Sequence, residues 1–541
     1  MPPSPARARL LVRLLLVGAV FLAFAPALHG EWLNWDDNIN FMQNPHFRGL
    51  GWEQLRWMWT DTAGVYVPLA WMSLGLNFLS GGMDPRGYHA LNVALHAVSA
   101  LGLWSLLEAL LARTAPGVAP GDRRWAAVAG ALFWALHPLR VESVVWITER
   151  RDVLCTALLF PAVTLYIRAV SAQGRRRGWL LAASCALTLA SMLAKAHAMT
   201  FAAVLLVLDL LVLDRWPRER FGRLLLEKVP WLLLGAGMAL VAAGSQVSGG
   251  AAASFASHGP AARAAVIAEG LRYYALQTLA PVVLTPIQPL LLPIHPQEHL
   301  LAGAVALAGA LGTLTLLVVR RRRLAAALLL YAVLLAPVSG VLQSSPNLVA
   351  DRNSLVATVP FVALFAAAAA WALPRRRGLT IALLVAWLGA LGAVTFGYAE
   401  AWSHPLKLWA LQLERFPEHP QSHFLMAQSL DEAGRDAEAI PAYQAALRFG
   451  HPAPDQVRLA LGHCQADVGS FDEALPTWAR IPPDSPHYAE AQAFTGRALW
   501  SLGRRGEALE AFSRAAAAAP GDAEYAELLR RAREAGGALE R

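Results

Sequence analysis

The segment DVLCTALLFPAVTLYIRAVS, residues 152–171, is a predominantly apolar run of 20 residues. At a rise of about 1.5 Å per residue it forms a helix of about 30 Å, which matches the hydrocarbon core of a bilayer. Comparable runs recur through the region before residue 400, separated by short breaks that are basic or rich in Pro and Gly. The pattern predicts an all-α protein with many membrane-spanning helices.

Composition and charge agree with this prediction. Of the 541 residues, 56% are hydrophobic and 16% are charged, and the mean hydropathy is +0.40, as in chains that lie mostly in a membrane. Residues 400–541 carry 14 basic and 20 acidic side chains, whereas the preceding part carries 32 and 18. The basic excess forms short clusters between apolar runs, which is the positive-inside pattern and not a nucleic-acid patch. The three cysteines are interpreted as packed thiols, because they are too scattered for disulfides or a metal site.

The basic clusters orient eleven predicted spans, with the N-terminus in the cytoplasm and the C-terminus outside. The clusters placed in the cytoplasm are 113–124, 175–177, 215–228, 320–323 and 375–377. The predicted spans are 14–28, 88–112, 125–137, 152–171, 178–194, 197–213, 229–247, 299–319, 324–342, 355–373 and 379–398. A further run, 264–284, would start and end on the same face, so we interpret it as a re-entrant or interfacial helix.

A repeat with a period of 34 residues follows the apolar region. Pro452, Pro486 and Pro520 mark the period, and small residues recur where paired helices would cross. This spacing is typical of tetratricopeptide repeats, and three repeats form a short concave surface for a peptide or protein. A structural cap or a dimerisation module is the alternative. The predicted division is a membrane domain (1–398), a connecting helix (399–419) and a repeat domain (420–541), with repeats near 420–453, 455–488 and 489–522.

Polar side chains converge on the outer face of this predicted topology, where they indicate a functional site. The first outer loop contains an acidic pair, and three later loops contain cations together with acids and histidines. Cations at the outer face oppose the positive-inside bias, so they need a separate explanation. The candidate residues are Asp36, Asp37, His137, Arg140, Glu142, Arg150, Arg151, Asp152, Lys195, His197, Asp351 and Arg352; Glu149 lies in the same loop as six of them.

A lipid-linked phosphate or pyrophosphate would explain the cations, because Arg and Lys donate strong charge-assisted hydrogen bonds to phosphate. A carboxylate opposite such a leaving group can act as general base on an attacking hydroxyl. Structural roles remain as alternatives. The pair Asp36–Asp37 can cap a helix in a surface loop, Arg150 and Arg151 can anchor the chain to lipid headgroups, and His137 before a proline can end a helix.

Five motifs in this order resemble the transmembrane and tetratricopeptide-repeat O-mannosyltransferases and their bacterial relatives, within the GT-C glycosyltransferase superfamily. The motifs are WDD (35–37), HPLRVESVVWITERRD (137–152), LAKAHAMT (193–200), LRYYALQTLAPVVLTP (271–286) and ADRNSL (350–355). The chain departs from the family pattern at Ala196–His197, at Asn353 and in the Glu-Arg-Arg-Asp run at 149–152. These departures bear on the donor sugar and its lipid.

The resemblance implies a polytopic enzyme of the bacterial inner membrane with its active site facing the periplasm. It implies inverting transfer of mannose or another hexose from a polyprenyl phosphate to a protein Ser or Thr hydroxyl, without cofactor or metal. Asp36 would be the base and Asp37 its partner in positioning. The phosphate would contact Arg150, Lys195 and Arg352, together with Arg140 and Arg151.

Other functions remain open from the sequence alone. The acceptor could be a lipid or polysaccharide, and the chain could be a non-catalytic scaffold that presents repeats to envelope partners. A transporter is disfavoured, because transporters place their polar groups near the bilayer midplane. Besides the donor and a protein bound by the repeats, the expected partners are membrane lipids and not nucleic acid.

Overall fold

The computed structural model describes residues 5–61, 64–248, 259–289, 295–339 and 347–537. Regular structure in these ranges is almost entirely helical, which confirms the all-α prediction. The strands found there are β1 (Gln288–Pro289) and β2 (Asn347–Val349), which pair antiparallel. The chain divides into two compact units, Met1–His404 and Pro405–Arg541.

The first unit contains sixteen α-helices within its described ranges. They are α1 (Pro5–Ala23), α2 (Trp52–Thr60), α3 (Pro68–Gly81), α4 (Pro85–Thr114), α5 (Pro120–Ala135), α6 (Val141–Val145), α7 (Arg150–Ser171), α8 (Gly174–Ala194), α9 (Phe201–Val207), α10 (Phe221–Ser248), α11 (Pro260–Leu279), α12 (Leu300–Val318), α13 (Arg322–Leu335), α14 (Ser354–Ala357), α15 (Val359–Ala372) and α16 (Arg377–Trp402).

Among the described residues, six helical segments are long and apolar enough to cross a membrane, and a seventh candidate is bent by 55° between α14 and α15. The six contain α4, α7, α8, α10, α12 and α16. The chain is therefore a membrane protein. The other four predicted spans fall on α1, α5, α13 and the broken helix 196–212, which are shorter or more charged. The total of eleven spans stays a prediction, as does the non-spanning interpretation of α11.

Two helices, α2 and α3, lie between the first two predicted spans, where the sequence analysis placed no element. α3 packs against α4, α7 and α8. An apolar cluster that includes Phe41, Phe47, Met58 and Tyr88 joins this region to the loop before α7. The region that carries the acidic pair is therefore a packed part of the first unit and not a free loop.

The second unit is a series of eight helices in which each packs against the next. They are α17 (Pro405–Arg415), α18 (Pro420–Glu432), α19 (Asp436–Arg448), α20 (Pro454–Asp467), α21 (Phe471–Ala479), α22 (Tyr488–Ser501), α23 (Arg505–Ala518) and α24 (Ala523–Gly537). Gly462 and Gly496 explain the close packing, since a Cβ would lie 2.2 Å from Trp478 Nε1 in one case and 2.6 Å from Phe512 Cε1 in the other. The tetratricopeptide assignment and the proposed domain limits stay predictions.

Candidate active site

Asp37 is fully buried and fixed by three hydrogen-bond donors. Its Oδ1 accepts from Trp146 Nε1 at 3.0 Å and from Thr148 Oγ1 at 2.6 Å, and its Oδ2 accepts from the backbone N–H of Leu33 at 3.0 Å. Burial raises the pKa of Asp37 to about 7, against the lowering effect of these donors. Asp37 therefore ties the first outer loop to the segment before α7 from a position that solvent does not reach.

Asp36 has a different environment from its neighbour. Its side chain is half-buried and, within the described part of the chain, accepts no hydrogen bond. Burial raises the pKa of Asp36 above its ordinary value, while the positive charges of Arg151 and Arg352 lower it and the charge of Glu149 raises it. Asp36 is thus a carboxyl group near two guanidinium groups that remains available to accept a proton.

Beside Asp36 lies a network of ion pairs, the Glu149 cluster, centred on one buried carboxylate. Arg151 Nη2 lies 2.6 Å from Glu149 Oε1, and Arg352 Nε lies 3.3 Å from the same oxygen. Lys195 Nζ lies 3.2 Å from Glu149 Oε2. Three cations from three distant parts of the sequence therefore meet at one acid. The members of the cluster are Glu142, Glu149, Arg151, Asp152, Lys195 and Arg352.

Two further acids complete the Glu149 cluster. Asp152 Oδ1 lies 2.6 Å from Lys195 Nζ, and its Oδ2 accepts from Ser143 Oγ at 2.9 Å. Glu142 pairs with the guanidinium of Arg352 and accepts from the Arg352 backbone N–H at 2.7 Å. His197 lies at the edge, with Nδ1 4.0 Å from Asp152 Oδ1. The acids hold the cations in fixed positions.

The exposure of the two charge signs in the Glu149 cluster differs. The side chains of Glu142, Glu149 and Asp152 are at most 1% exposed, whereas those of Arg151, Lys195 and Arg352 are 15–18% exposed. Among the described residues, Nη1 of Arg151 and Nη2 of Arg352 have no acceptor. The cluster therefore presents positive charge and unused N–H donors at its accessible side, an arrangement suited to an anion.

Trp146 links the acidic pair to the Glu149 cluster. Its Nε1 donates to Asp37, and Trp35 stacks on its ring with centroids 4.6 Å apart. The guanidinium carbon of Arg352 lies 5.6 Å from the centroid of the Trp146 ring. These contacts fix the distance between Asp36 and the cations through a rigid aromatic side chain.

The structure places Arg150 outside the cluster. Its side chain is fully buried and donates to Asn92 Oδ1 and to the backbone carbonyl of Tyr88 at 2.8 Å. These contacts join the start of α7 to α4. Of the two neighbouring arginines, Arg151 and not Arg150 pairs with Glu149. That Arg150 contacts a phosphate stays a prediction.

Three other candidates connect helices beneath the site. Arg140 is buried and donates to Ser354 Oγ at 2.6 Å. His137 Nε2 lies 3.2 Å from the carbonyl of Thr278 in α11. Asp351 accepts from Tyr273 at 2.7 Å. The motifs at 137–152, 271–286 and 350–355 are therefore in mutual contact, and these residues hold the segments that carry Glu142 and Arg352.

The sequence analysis missed the central role of Glu149 and the contacts of Trp35, Trp146 and Thr148. All four lie inside the motifs named above, and this position associates them with the site. Nothing else in the sequence distinguishes them from their neighbours. The described residues of the first unit contain no group of three His, Cys, Asp or Glu side chains spaced to hold a metal ion; one such group, Asp431, Asp436 and Cys464, lies in the second unit. Metal independence stays a prediction.

Comparison with known proteins identifies relatives of this chain, although no family model matches it. It is 36% identical over 154 residues to human protein O-mannosyl-transferase TMTC2, covering 28% of this chain and 17% of that protein. It is 30% identical over 220 residues to human TMTC1, covering 37% and 24%, and 28% identical over 221 residues to mouse TMTC4, covering 37% and 30%. The match thus spans less than a third of these relatives. The chain is related to the TMTC protein O-mannosyl-transferases.

Proposed function

We propose that the chain is a membrane glycosyltransferase that transfers a hexose, mannose as the leading candidate, from a polyprenyl phosphate to a protein Ser or Thr hydroxyl. The observation that carries this proposal is the half-buried Asp36 beside three cations whose acid partners are buried. Such a site pairs a proton acceptor with an anion-binding surface. The names of the relatives support a protein acceptor and a mannosyl donor.

The proposed reaction is a single displacement at the anomeric carbon. Asp36 accepts the proton of the acceptor hydroxyl as its oxygen bonds to that carbon. The bond between the carbon and the phosphate oxygen breaks, and Arg151, Lys195 and Arg352 stabilise the charge that develops on the phosphate. Attack opposite the leaving group inverts the configuration. The polyprenyl phosphate leaves with the electron pair of the broken bond.

Asp37 acts in this proposal as a positioning residue. Its three hydrogen bonds orient the loop that carries Asp36, and Trp146 connects that loop to Arg352. Fixed geometry of this kind supports catalysis because it reduces the entropy and reorganisation required at the moment of reaction.

The second unit supplies acceptor or partner binding in this proposal. Stacked helical pairs form extended surfaces for peptides and proteins. With the N-terminus in the cytoplasm and the site and repeats on the periplasmic side of the inner membrane, an acceptor bound by the repeats would share a compartment with Asp36.

The test supplies radiolabelled polyprenyl-phosphate mannose to membranes that contain the chain and separates the products into protein, lipid and polysaccharide fractions. The proposal expects label in protein, releasable by alkaline β-elimination from Ser and Thr. Membranes without the chain provide the background. Label confined to lipid or polysaccharide would overturn the protein acceptor, and absence of transfer from polyprenyl-phosphate mannose and from other polyprenyl-phosphate hexoses would overturn the enzyme.

A further inference from the structure

A cavity with a basic lining lies at the other end of α7 from Arg151. A cavity of about 510 Å³ opens between the ends of α4 and α7 and the starts of α1, α5 and α8. Arg151 and Arg168 are 17 residues apart on α7, or about 25 Å along its axis. The cavity therefore belongs to the opposite membrane face, which the basic clusters predict to be cytoplasmic.

Arginine dominates the lining of this cavity. Its charged residues are Glu108 and six arginines: Arg9, Arg113, Arg123, Arg124, Arg168 and Arg176. Arg124 Nε pairs with Glu108 Oε1 at 3.3 Å. Within the described ranges, no carboxylate lies at ion-pair distance from the other five. This cavity is strongly positive, and its charge is not balanced by the protein.

Helix capping accounts for only part of this set. Arg113 donates to the carbonyl of Ile167 at 3.2 Å, and Arg123 donates to that of Ala115 at 3.4 Å, so both satisfy groups near helix ends. Arg168 has one bond, to Ser105 Oγ at 3.3 Å, and its side chain is exposed. Arg9 and Arg176 are also exposed. Three arginines thus face the cavity with donors to spare.

We propose that this cavity binds the phosphate headgroup of an anionic phospholipid from the adjacent leaflet. Arginines at the ends of predicted spans are positioned at headgroup level, where basic pockets between helices recognise such lipids. The lining also includes Ala109, Ala112 and Ile167, an apolar strip suited to the start of an acyl chain. The volume lies in the range of small-molecule sites, about 300–1,000 Å³, and exceeds what an inorganic phosphate requires.

The test uses the full chain, purified in neutral detergent, with phosphatidylglycerol as probe and phosphatidylcholine as reference. Native mass spectrometry counts the lipids bound per chain. Wild type should retain one phosphatidylglycerol in preference to phosphatidylcholine, and excess inorganic phosphate should not displace it. The double variant Arg168→Gln/Arg176→Gln should bind it about tenfold more weakly, because two charge-assisted donors are lost.

The matched control is Arg375→Gln/Arg376→Gln, which removes two exposed arginines from another basic cluster. This control should bind phosphatidylglycerol like wild type. Equal weakening in both variants would show general attraction to a basic surface and would overturn the site. Displacement by inorganic phosphate would overturn the lipid as its ligand. If the double variant does not give a monodisperse protein, Arg176→Gln alone should still weaken binding, and unchanged binding would contradict the proposal.

Discussion

Two buried clusters of ion pairs lie near opposite ends of α7, and their charges are arranged in opposite ways. In the Glu149 cluster the acids are at most 1% exposed and the cations 15–18%. In the second, the Asp209 cluster, the cations Arg215 and Lys228 are 3% and 4% exposed, whereas Glu219 and Glu227 are 29% and 14% exposed. Of these two clusters, only the first leaves its cations more exposed than its acids.

The cations of the Asp209 cluster are also more completely paired. Arg215 pairs with Asp209 at 2.9 Å and with Glu219 and Glu227, both at 2.7 Å. Lys228 pairs with Asp209 at 2.7 Å. Each cation is used within the protein, so this cluster joins helices and offers nothing to an anion. The comparison shows that buried ion pairs can leave charge of either sign accessible, and in the proposed mechanism it is the accessible positive charge of the Glu149 cluster that binds the donor phosphate.

Removal of the central acid should give the largest effect. Glu149→Gln leaves Arg151, Lys195 and Arg352 without their shared counter-charge, and breaking a buried pair in this way costs about 3–5 kcal/mol. We expect the free energy of unfolding to fall by that amount and transfer to be lost. The matched variant Asp209→Asn should cost less, because Arg215 and Lys228 both keep other acids, whereas Glu149→Gln leaves Arg151 with no carboxylate at ion-pair distance among the described residues. Thermal unfolding in detergent measures both, and equal losses would contradict the proposed difference.

Removal of one cation from each cluster should separate binding from stability. Arg352→Gln should raise the KM for the lipid-linked donor about 10- to 100-fold, as expected for a lost hydrogen bond between charged groups. Arg215→Gln should lower the melting temperature and leave the donor KM unchanged, because Arg215 is buried within the protein. Steady-state kinetics over a range of donor concentrations gives the answer. If both Arg352→Gln and Arg215→Gln raise the KM for the donor, the proposed difference in function between the two clusters is contradicted.

A smaller effect on stability is expected when a hydrogen bond that holds Asp37 in place is removed. Thr148→Val keeps the shape of the side chain but removes a donor to Asp37, which should cost about 1–3 kcal/mol of stability. It should also raise the pKa of Asp37 further, because the Thr148 hydrogen bond lowers it. Thr148→Ser retains the hydroxyl and serves as the control in thermal unfolding. A Val variant as stable as the Ser variant would show that this bond is unimportant.

The smallest expected effect is a displacement of the pH dependence. The proposed mechanism requires Asp36 in its ionised form. Because burial raises the pKa of Asp36, the rate of transfer should begin to fall at a higher pH than it would with an aspartate of ordinary pKa. Arg151→Gln removes a positive charge that favours the ionised form of Asp36. The fall in rate on the acid side should therefore move to a still higher pH. The rate of transfer as a function of pH measures both, with Arg215→Gln as the control. If the fall in rate on the acid side does not move in Arg151→Gln, or moves to lower pH, the assignment of Asp36 as the base is contradicted.

The arrangement of Arg150 and Arg151 shows why the sequence predicted the site incompletely. Adjacent residues on a helix point about 100° apart, so one of the pair must face α4 when the other faces the cluster. Because α7 begins at Arg150, Arg150 faces α4 and Arg151 faces the Glu149 cluster. The residue at which α7 begins depends in turn on the packed segment from Trp146 to Glu149. The sequence identified the pair and could not identify the member that joins the Glu149 cluster.

Long-range contacts account for the other gaps. Glu149 is central because residues 195 and 352 reach it from segments 46 and 203 positions away, which no local pattern shows. Apolar periodicity, by contrast, is local, and the described part of each of the eleven predicted spans is mainly helical. α3 escaped detection because its 14 residues are apolar but too short for a span.

In the proposed mechanism Asp36 is the catalytic base. The direct test compares Asp36→Asn with wild type in membranes supplied with labelled polyprenyl-phosphate mannose, at equal protein level. Asp84→Asn is the control, because Asp84 is an exposed cap of α4 and asparagine caps equally well. Asp36→Asn should lower the rate of transfer about 10²–10⁴-fold, as loss of a general base does, and Asp84→Asn should transfer at the wild-type rate. Undiminished transfer by Asp36→Asn would contradict this mechanism.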